Sequence, residues 1–254
     1  GQAIFAGEIE IALVMGGVMN LVAAGVMHVS TRCDQACAHC SIWKSNGRTR
    51  AALGCDERLA LIEEAKALGA RSILFTGGEP LLCDHIEALA RGAKGLGLSV
   101  QIATNGLGLR TAAAWLDAVD EVYVSVEGPP AVHDAIRGVS MFSRLRGSLG
   151  AVLSLARRPR LVGRSVVSSR NAALLEDTVA AARSLGLDGI SFLPADWASG
   201  AFGGDPSARS FLRPDEAAIG AMLEAVSRLA DRGELGAFVV EDARKLAWMA
   251  ADLL

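Results

Sequence analysis

The sequence predicts an α/β fold built on a parallel sheet, and three observations carry that prediction. Short apolar runs and amphipathic helices alternate six times along the 254 residues, the pattern of βαβ units with right-handed crossovers. The strand bodies are apolar throughout, as expected where helices cover a sheet. Glycines and polar groups gather instead where the strands end, which is where ligands bind in both doubly wound sheets and α/β barrels. Six such units suit either arrangement.

The elements follow in order. "VMHVS" (26–30) reads as the first strand, and "DERLALIEEAKALG" (56–69) as a helix that Asp56 caps at its start and Gly69 at its end. "RSILFT" (71–76) is the second strand, and "LCDHIEALARGAKGLG" (82–97) a helix with early acids and late bases that complement its dipole. "LSVQIAT" (98–104) is a strand, "RTAAAWLDAV" (110–119) a helix and "EVYVSV" (121–126) a strand. The helix 142–157, strand 160–168, helix 174–186 and strand 189–194 complete the alternation, and helices near 215–232 and 241–254 follow. The run from Ile11 to Val29 carries no formal charge. Its glycines, Asn20 and His28 argue against a membrane span, and it reads as a buried or loosely packed helix leading into the first strand.

Net charge is −3, hydrophobic residues make up 51% and aromatics only 5%. The densest basic run, "RRPRLVGR" at 157–164, suits a solvated helix end and strand start better than a nucleic-acid footprint. Large RNA or DNA is therefore not an expected partner. The five cysteines are an odd number and three of them crowd together, unlike a secreted disulfide framework.

Those three define the chemistry. Cys33, Cys37 and Cys40 form C-x3-C-x2-C just after the first strand, while Cys55 and Cys83 stand apart. Thiolates at this density bind a soft metal or a cluster. Zinc usually takes four closing ligands; Cys55 is a candidate fourth, and His39 ligates only by an awkward reversal of the loop. An iron–sulfur cubane also usually takes four cysteines, so three leave one iron open to something else. A metal-free redox group of thiols is the remaining reading. Cys55 and Cys83 read as buried free thiols, since free cysteine behaves as a small hydrophobe.

The strand ends add further motifs. "GGEP" (77–80) follows the second strand, "ATNG" (103–106) the third, "VSVEGPPAVHDAIRG" (124–138) the fourth and "SFLPAD" (191–196) the sixth. With the cysteine loop, in this order, they resemble the radical S-adenosylmethionine (radical SAM) superfamily over about residues 26–197. The flavour is that of the SPASM-type enzymes that modify peptides or build cofactors, the pyrroloquinoline-quinone and sulfatase-maturation groups. No cysteine follows Cys83, so a C-terminal auxiliary-cluster domain is not expected within this chain. The resemblance implies a partial (β/α)6 TIM-like barrel with C-terminal helices: an extension over 1–25, a core over 26–200 and a helical segment over 201–254.

The resemblance also implies a mechanism and a site. Cys33, Cys37 and Cys40 would hold three irons of a 4Fe–4S cluster, with SAM on the fourth. One electron, from reduced flavodoxin or ferredoxin, would cleave SAM to a 5′-deoxyadenosyl radical that takes hydrogen from a small-molecule or peptide substrate, all in the cytoplasm. Gly77, Gly78, Glu79 and Pro80 would line the SAM amino group, the glycines by letting backbone approach the ligand. Thr104 and Asn105 would lie near SAM, and Ser125 would bind its ribose or carboxylate. Glu127 stands where an aspartate is usual, which puts its role in doubt. Arg137 suits the SAM carboxylate or, alternatively, a surface pair with Asp134. His39 and Leu193 would flank the adenine, and Asp196 and Trp197 extend past the rim. On this reading a valine at Gly78 displaces SAM and leaves the cluster in place. A radical SAM methyl- or adenosyl-transferase shares all of these motifs, and a non-enzymatic iron–sulfur or zinc protein is the rival from another class.

Overall fold

The computed structural model describes residues 3–6, 9–16, 21–45, 53–196 and 212–253, with side chains for 24–44, 53–196 and 212–253. Trp197 lies outside the described residues. The strands are β1 (Ala3–Ala6), β2 (Ile9–Gly16), β3 (Leu21–Ser30), β4 (Ser72–Gly77), β5 (Ser99–Thr104), β6 (Glu121–Ser125), β7 (Arg160–Val167) and β8 (Gly189–Pro194). The helices are α1 (Cys55–Ala67), α2 (Ile86–Gly95), α3 (Leu109–Ala112), α4 (Pro130–Arg137), α5 (Phe142–Leu153), α6 (Leu175–Ser184), α7 (Glu216–Asp231) and α8 (Ala243–Asp252). Strand order in the sheet follows the sequence from β1 to β8. The pairs β3–β4, β4–β5 and β7–β8 are parallel, as the alternation predicts.

The amino-terminal segment corrects one expectation. Where a helix was expected from Ile11, the chain forms β2 and the first half of a long β3, paired antiparallel from Ile11 opposite Met27 to Gly16 opposite Leu21. Lack of charge says only that a run can be buried. Its Ile and Val content favours an extended chain, and β1 extends the pairing by one more antiparallel strand.

Contacts divide the chain into two compact units. The first comprises residues 1–34, 42–123 and 150–160. Its core holds Met27, Ile62, Ile73, Phe75, Leu89 and Ile102, each at most 1% exposed. In β4 and β5 fully buried residues alternate with more exposed ones, the period of two that a pleated strand imposes. Helix α1 begins one residue earlier than expected and is capped by Gly54, whose N–H donates to Glu57 Oε2 at 2.7 Å; Asp56 sits inside its first turn. Gly69, just past its end, has φ +99°, as a C-terminal glycine should.

Two predicted helices are interrupted by turns. The segment from Leu82 becomes a 3-10 turn over Pro80–Leu82, an extended Cys83 and then α2. Glu79 accepts from Leu81 N at 3.0 Å and caps that turn, and so separates it from the helix. The segment 110–119 divides into α3 and a 3-10 turn at Leu116–Ala118, with Trp115 buried between them.

The second unit comprises residues 35–41, 124–149 and 161–254. Ile136, Met141, Leu145, Ile190, Phe192, Met222, Leu229 and Leu246 are among its buried side chains. Helix α7 packs against α6, α8 and residues 172–174. The C-terminal segment does more than add helices. Ile190 N–H donates to Phe238 O and Val240 N–H to Ile190 O, both at 2.8 Å. Glu241, 3% exposed, accepts from Ser191 Oγ at 2.8 Å and Phe192 N at 3.1 Å. The edge of β8 is thereby covered rather than left to pair with another chain. Among the described residues no helix is long and apolar enough to cross a membrane.

Candidate functional site

The cysteine loop leaves the end of β3 in the first unit and enters the second unit at Gln35. Each unit grips its own part of the loop.

In the first unit the GGEP turn lies backbone to backbone on the stem of the loop. Gly78 N–H donates to Ser30 O at 2.6 Å and Glu79 N–H to Arg32 O at 2.8 Å. A Cβ on Gly77, whose φ is +133°, would stand 2.3 Å from Ser30 O; one on Gly78 would stand 2.3 Å from Arg32 O. The neighbour that requires glycine here is therefore the loop's own backbone. This corrects the expectation that a side chain at Gly78 acts on a ligand alone: it must first displace the residues leading into Cys33.

Glu79 is 2% exposed beside buried Pro80. Its Oε1 also accepts from Thr104 Oγ1 at 2.6 Å, and its Oε2 from Asn105 N at 2.7 Å. Burial pushes its carboxyl up to about 7, against the lowering effect of those three hydrogen bonds. Asn105 Nδ2 donates to Asp34 Oδ1 at 2.6 Å, tying the end of β5 to the residue after Cys33. Thr104 and Asn105 are thus ordered by Glu79 and the loop, more than a simple Asn-Gly turn requires.

In the second unit the loop lies on the end of α4. Ala38 N–H donates to Ile136 O at 2.9 Å and Ala36 N–H to Arg137 O at 3.3 Å. Gly138, at φ +71°, leaves no room for a Cβ, which would be 2.6 Å from Ala36 O. The "RG" of the line after the fourth strand therefore supports the centre of the cysteine loop.

Glu127 and Arg137 form a buried pair, Arg137 NH1 donating to Glu127 Oε1 at 3.1 Å. Arg137 Nε donates to Gln35 Oε1 at 2.7 Å. Glu127 Oε2 accepts from Val166 N at 2.9 Å, and His39 Nε2 lies 4.0 Å from Glu127 Oε1. Through its two oxygens Glu127 joins α4 to β7. Arg137 is buried against Glu127 rather than paired at the surface, and Asp134 accepts from Met141 N at 3.0 Å and Phe142 N at 2.9 Å, capping α5. Ser125 ends β6 half-buried, Leu193 is half-buried in β8 and Asp196 is exposed.

Sequence reasoning passed over four residues of this arrangement. Asp34 and Gln35 lie inside the cysteine motif. Asn171 donates to Glu127 O at 3.0 Å and Val166 O at 3.1 Å. His133, fully buried, accepts from Glu127 N at 3.2 Å on Nδ1, and burial holds its imidazole down at about 4. A polar Gln35 in a buried stretch of loop, and an Asn closing "SSRN", were the available signals.

The donor set fits an iron–sulfur cluster. Cys33, Cys37 and Cys40 are not in disulfides; Cys37 is buried and the other two half-buried. Cys55 is half-buried, not buried as expected, while Cys83 is buried with Arg58 NH1 donating to its sulfur at 3.3 Å. Among the described residues, no three Cys, His, Asp or Glu side chains converge where a single metal ion would sit. The fit lies in three soft donors on one loop, none of them in a disulfide.

Comparison with known proteins meets this site directly. Residues 27–148, from β3 through the cysteine loop to α5, match the Radical SAM superfamily model: the chain carries a radical SAM domain. It is 28% identical over 169 residues to a pre-heme d1 synthase of Dinoroseobacter shibae, covering 64% of this chain and 41% of that protein. It is 32% identical over 117 residues to a PqqA peptide cyclase of Streptomyces rochei, covering 44% of this chain and 32% of that protein. The chain thus spans less than half the length of these relatives. Streptococcus suis SuiB bound to its precursor peptide SuiA has the same fold, with a TM-score of 0.64, 17% identity, and coverage of 84% of this chain and 47% of SuiB.

Proposed function

We propose that the chain is a radical SAM enzyme whose Cys33, Cys37 and Cys40 hold three irons of a 4Fe–4S cluster and whose fourth iron takes SAM. The observation that carries the reading is the seating of the cysteine loop, fixed by Gly77 and Gly78 within one unit and by Gly138 within the other. When bound and reduced by one electron, that pair of cofactors supplies a 5′-deoxyadenosyl radical able to remove hydrogen from a substrate.

The chain's own residues bind and orient. Glu79 would accept the SAM ammonium, a cation that would draw its carboxyl back to the charged form. Thr104 and Asn105 hold Glu79 and the loop in register for it. Ser125 would reach the ribose or carboxylate, Arg137 the carboxylate, and His39 and Leu193 the adenine. The substrate class is a peptide or a small cofactor precursor, the classes named for the relatives. A reduced flavodoxin or ferredoxin would supply the electron, in a reducing cytoplasm that keeps adjacent thiols open to iron. The division into extension 1–25, core 26–200 and helical segment 201–254 belongs to the same reading.

The test is spectroscopic. SAM added to the reconstituted, reduced protein is expected to change the EPR spectrum of the cluster, because SAM becomes a ligand of one iron. A spectrum indifferent to saturating SAM would favour a non-enzymatic iron–sulfur protein.

Glu79 also gives the apo chain a pH signature. Its folded pKa of about 7 lies above the usual 4.5, so its contribution is fully present below the unfolded value and is lost as pH rises through the folded one. The difference corresponds to about 3 kcal/mol at most. Denaturant unfolding of iron-free wild type and Glu79→Gln should therefore show the wild type losing ground to the variant between pH 5 and pH 8. A pH-independent gap would place Glu79 in a more polar setting.

A further inference from the structure

Gln35 sits between Cys33 and Cys37, 4% exposed, flanked by Asp34 and Ala36. Its Oε1 accepts from Arg137 Nε at 2.7 Å, and Cys37 Sγ lies 3.7 Å from the same oxygen in donor geometry. Cys37 is itself only 5% exposed. One amide oxygen therefore joins an iron-ligand candidate to a buried guanidinium.

That guanidinium is held in turn. Glu127 Oε1 takes Arg137 NH1, Glu127 Oε2 takes Val166 N, and the backbone of Glu127 is fixed by His133 and Asn171. The line Asn171–Glu127–Arg137–Gln35–Cys37 runs wholly within the second unit. Every link but the last joins charged or strongly polar groups, and a buried network of this kind holds its members in one arrangement. The last link is weak and must change on metal binding. A thiol donates, whereas a thiolate only accepts, so Cys37 gives up its bond to Oε1 when it takes iron. The oxygen keeps Arg137 and the amide nitrogen keeps Met141 Sδ, to which it donates, so the side chain stays fixed beside the sulfur after the thiol proton is gone.

We propose that Gln35 is a positioning residue, which transmits the fixed geometry of the buried Arg137–Glu127 pair to the Cys37 sulfur and tunes the cluster bound there. The proposal rests on the reading of the cysteines as cluster ligands. Partners just outside the ligands fix ligand orientation, and their loss typically costs about 10–100-fold in metal affinity or activity. Hydrogen bonds and charge near the sulfurs also set cluster potential.

The experiment uses full-length chain reconstituted anaerobically with ferrous iron and sulfide, without SAM. Rates of iron release to a chelator and the cluster's midpoint potential are compared for wild type, Gln35→Met, Arg137→Met and the double variant, with thermal unfolding of each iron-free protein as the control. Gln35→Met keeps length and removes the acceptor. It is expected to release iron at least about tenfold faster and to shift the potential away from the wild-type value, with the double variant no worse than the worse single one. Release and potential equal to wild type would overturn the proposal, as would losses that add in the double variant, because additivity marks independent sites. Should Gln35→Met fail to fold, Gln35→Asn, which keeps the amide but shortens its reach, carries the same expectation. If wild type itself takes up no cluster, the functional reading beneath the proposal fails; if wild type loads and Gln35→Met matches it, only the role of Gln35 fails.

Discussion

Changing Cys33, Cys37 and Cys40 together to alanine is expected to take bound iron from about four per chain, the content of one cubane, to background, and to remove the brown chromophore. Cys37 is the most buried of the three, yet backbone hydrogen bonds to Ser30, Arg32, Ala36 and Ala38 hold the loop whatever its side chains are. The variant should therefore fold, and its loss of iron should be a loss of ligands. Cys55→Ala and Cys83→Ala are the controls. Cys55 opens α1, and Cys83 serves as a partner for the buried Arg58. The second variant should lower stability by the one hydrogen bond it removes, about 1 kcal/mol, with iron content unchanged. Full iron in the triple variant would show that other groups hold the metal.

Gly78→Val is expected to lose both iron and SAM binding. A Cβ alone at this position would meet Arg32 O at 2.3 Å, and backbone atoms of a hydrogen-bonded stem cannot swing aside as a flexible side chain can. The two further methyl groups of valine deepen the clash, and overpacking of this sort typically costs about 1–3 kcal/mol or more. Gly78→Ala separates the two explanations of the glycine. If glycine were needed only for a ligand, alanine would spare iron loading; since the loop stem is the neighbour, alanine should already reduce it. Ser125→Ala, by contrast, removes at most one hydrogen bond to SAM, about 0.5–1.5 kcal/mol or a factor of about ten. Iron content and SAM affinity measured on all three variants decide this. Normal iron and SAM affinity in Gly78→Val would contradict the seating of the loop.

The sequence made the strands and the site motifs legible for specific reasons. Strands β4 to β8 are short apolar runs bounded by turn residues, so their positions agree with the expected ones to within a residue or two. The motifs at their ends were legible because they combine cysteine spacing with glycines and a carboxylate. The amino-terminal hairpin was misread because an uncharged run does not by itself distinguish helix from strand, and its antiparallel pairing is a long-range fact. The 3-10 turn at Pro80 was missed because it depends on Glu79 turning its side chain back to Leu81 N. The burial of Arg137 against Glu127 and Gln35 could not be read from spacing. Helical proximity suggested Asp134, which caps the start of α5. The glycines show the same limit: composition says that something approaches closely, and only the structure says that it is the cysteine loop itself.

The central claim is that this loop, loaded with its cluster, cleaves SAM. The direct measurement is the formation of 5′-deoxyadenosine and methionine by the reconstituted protein with dithionite and SAM under anaerobic conditions, beside the same assay of Cys40→Ala. The account predicts slow, stoichiometrically matched formation of both products by the wild type and none by the variant. No cleavage by a wild-type protein carrying its full cluster, or cleavage that survives the loss of Cys40, would contradict it.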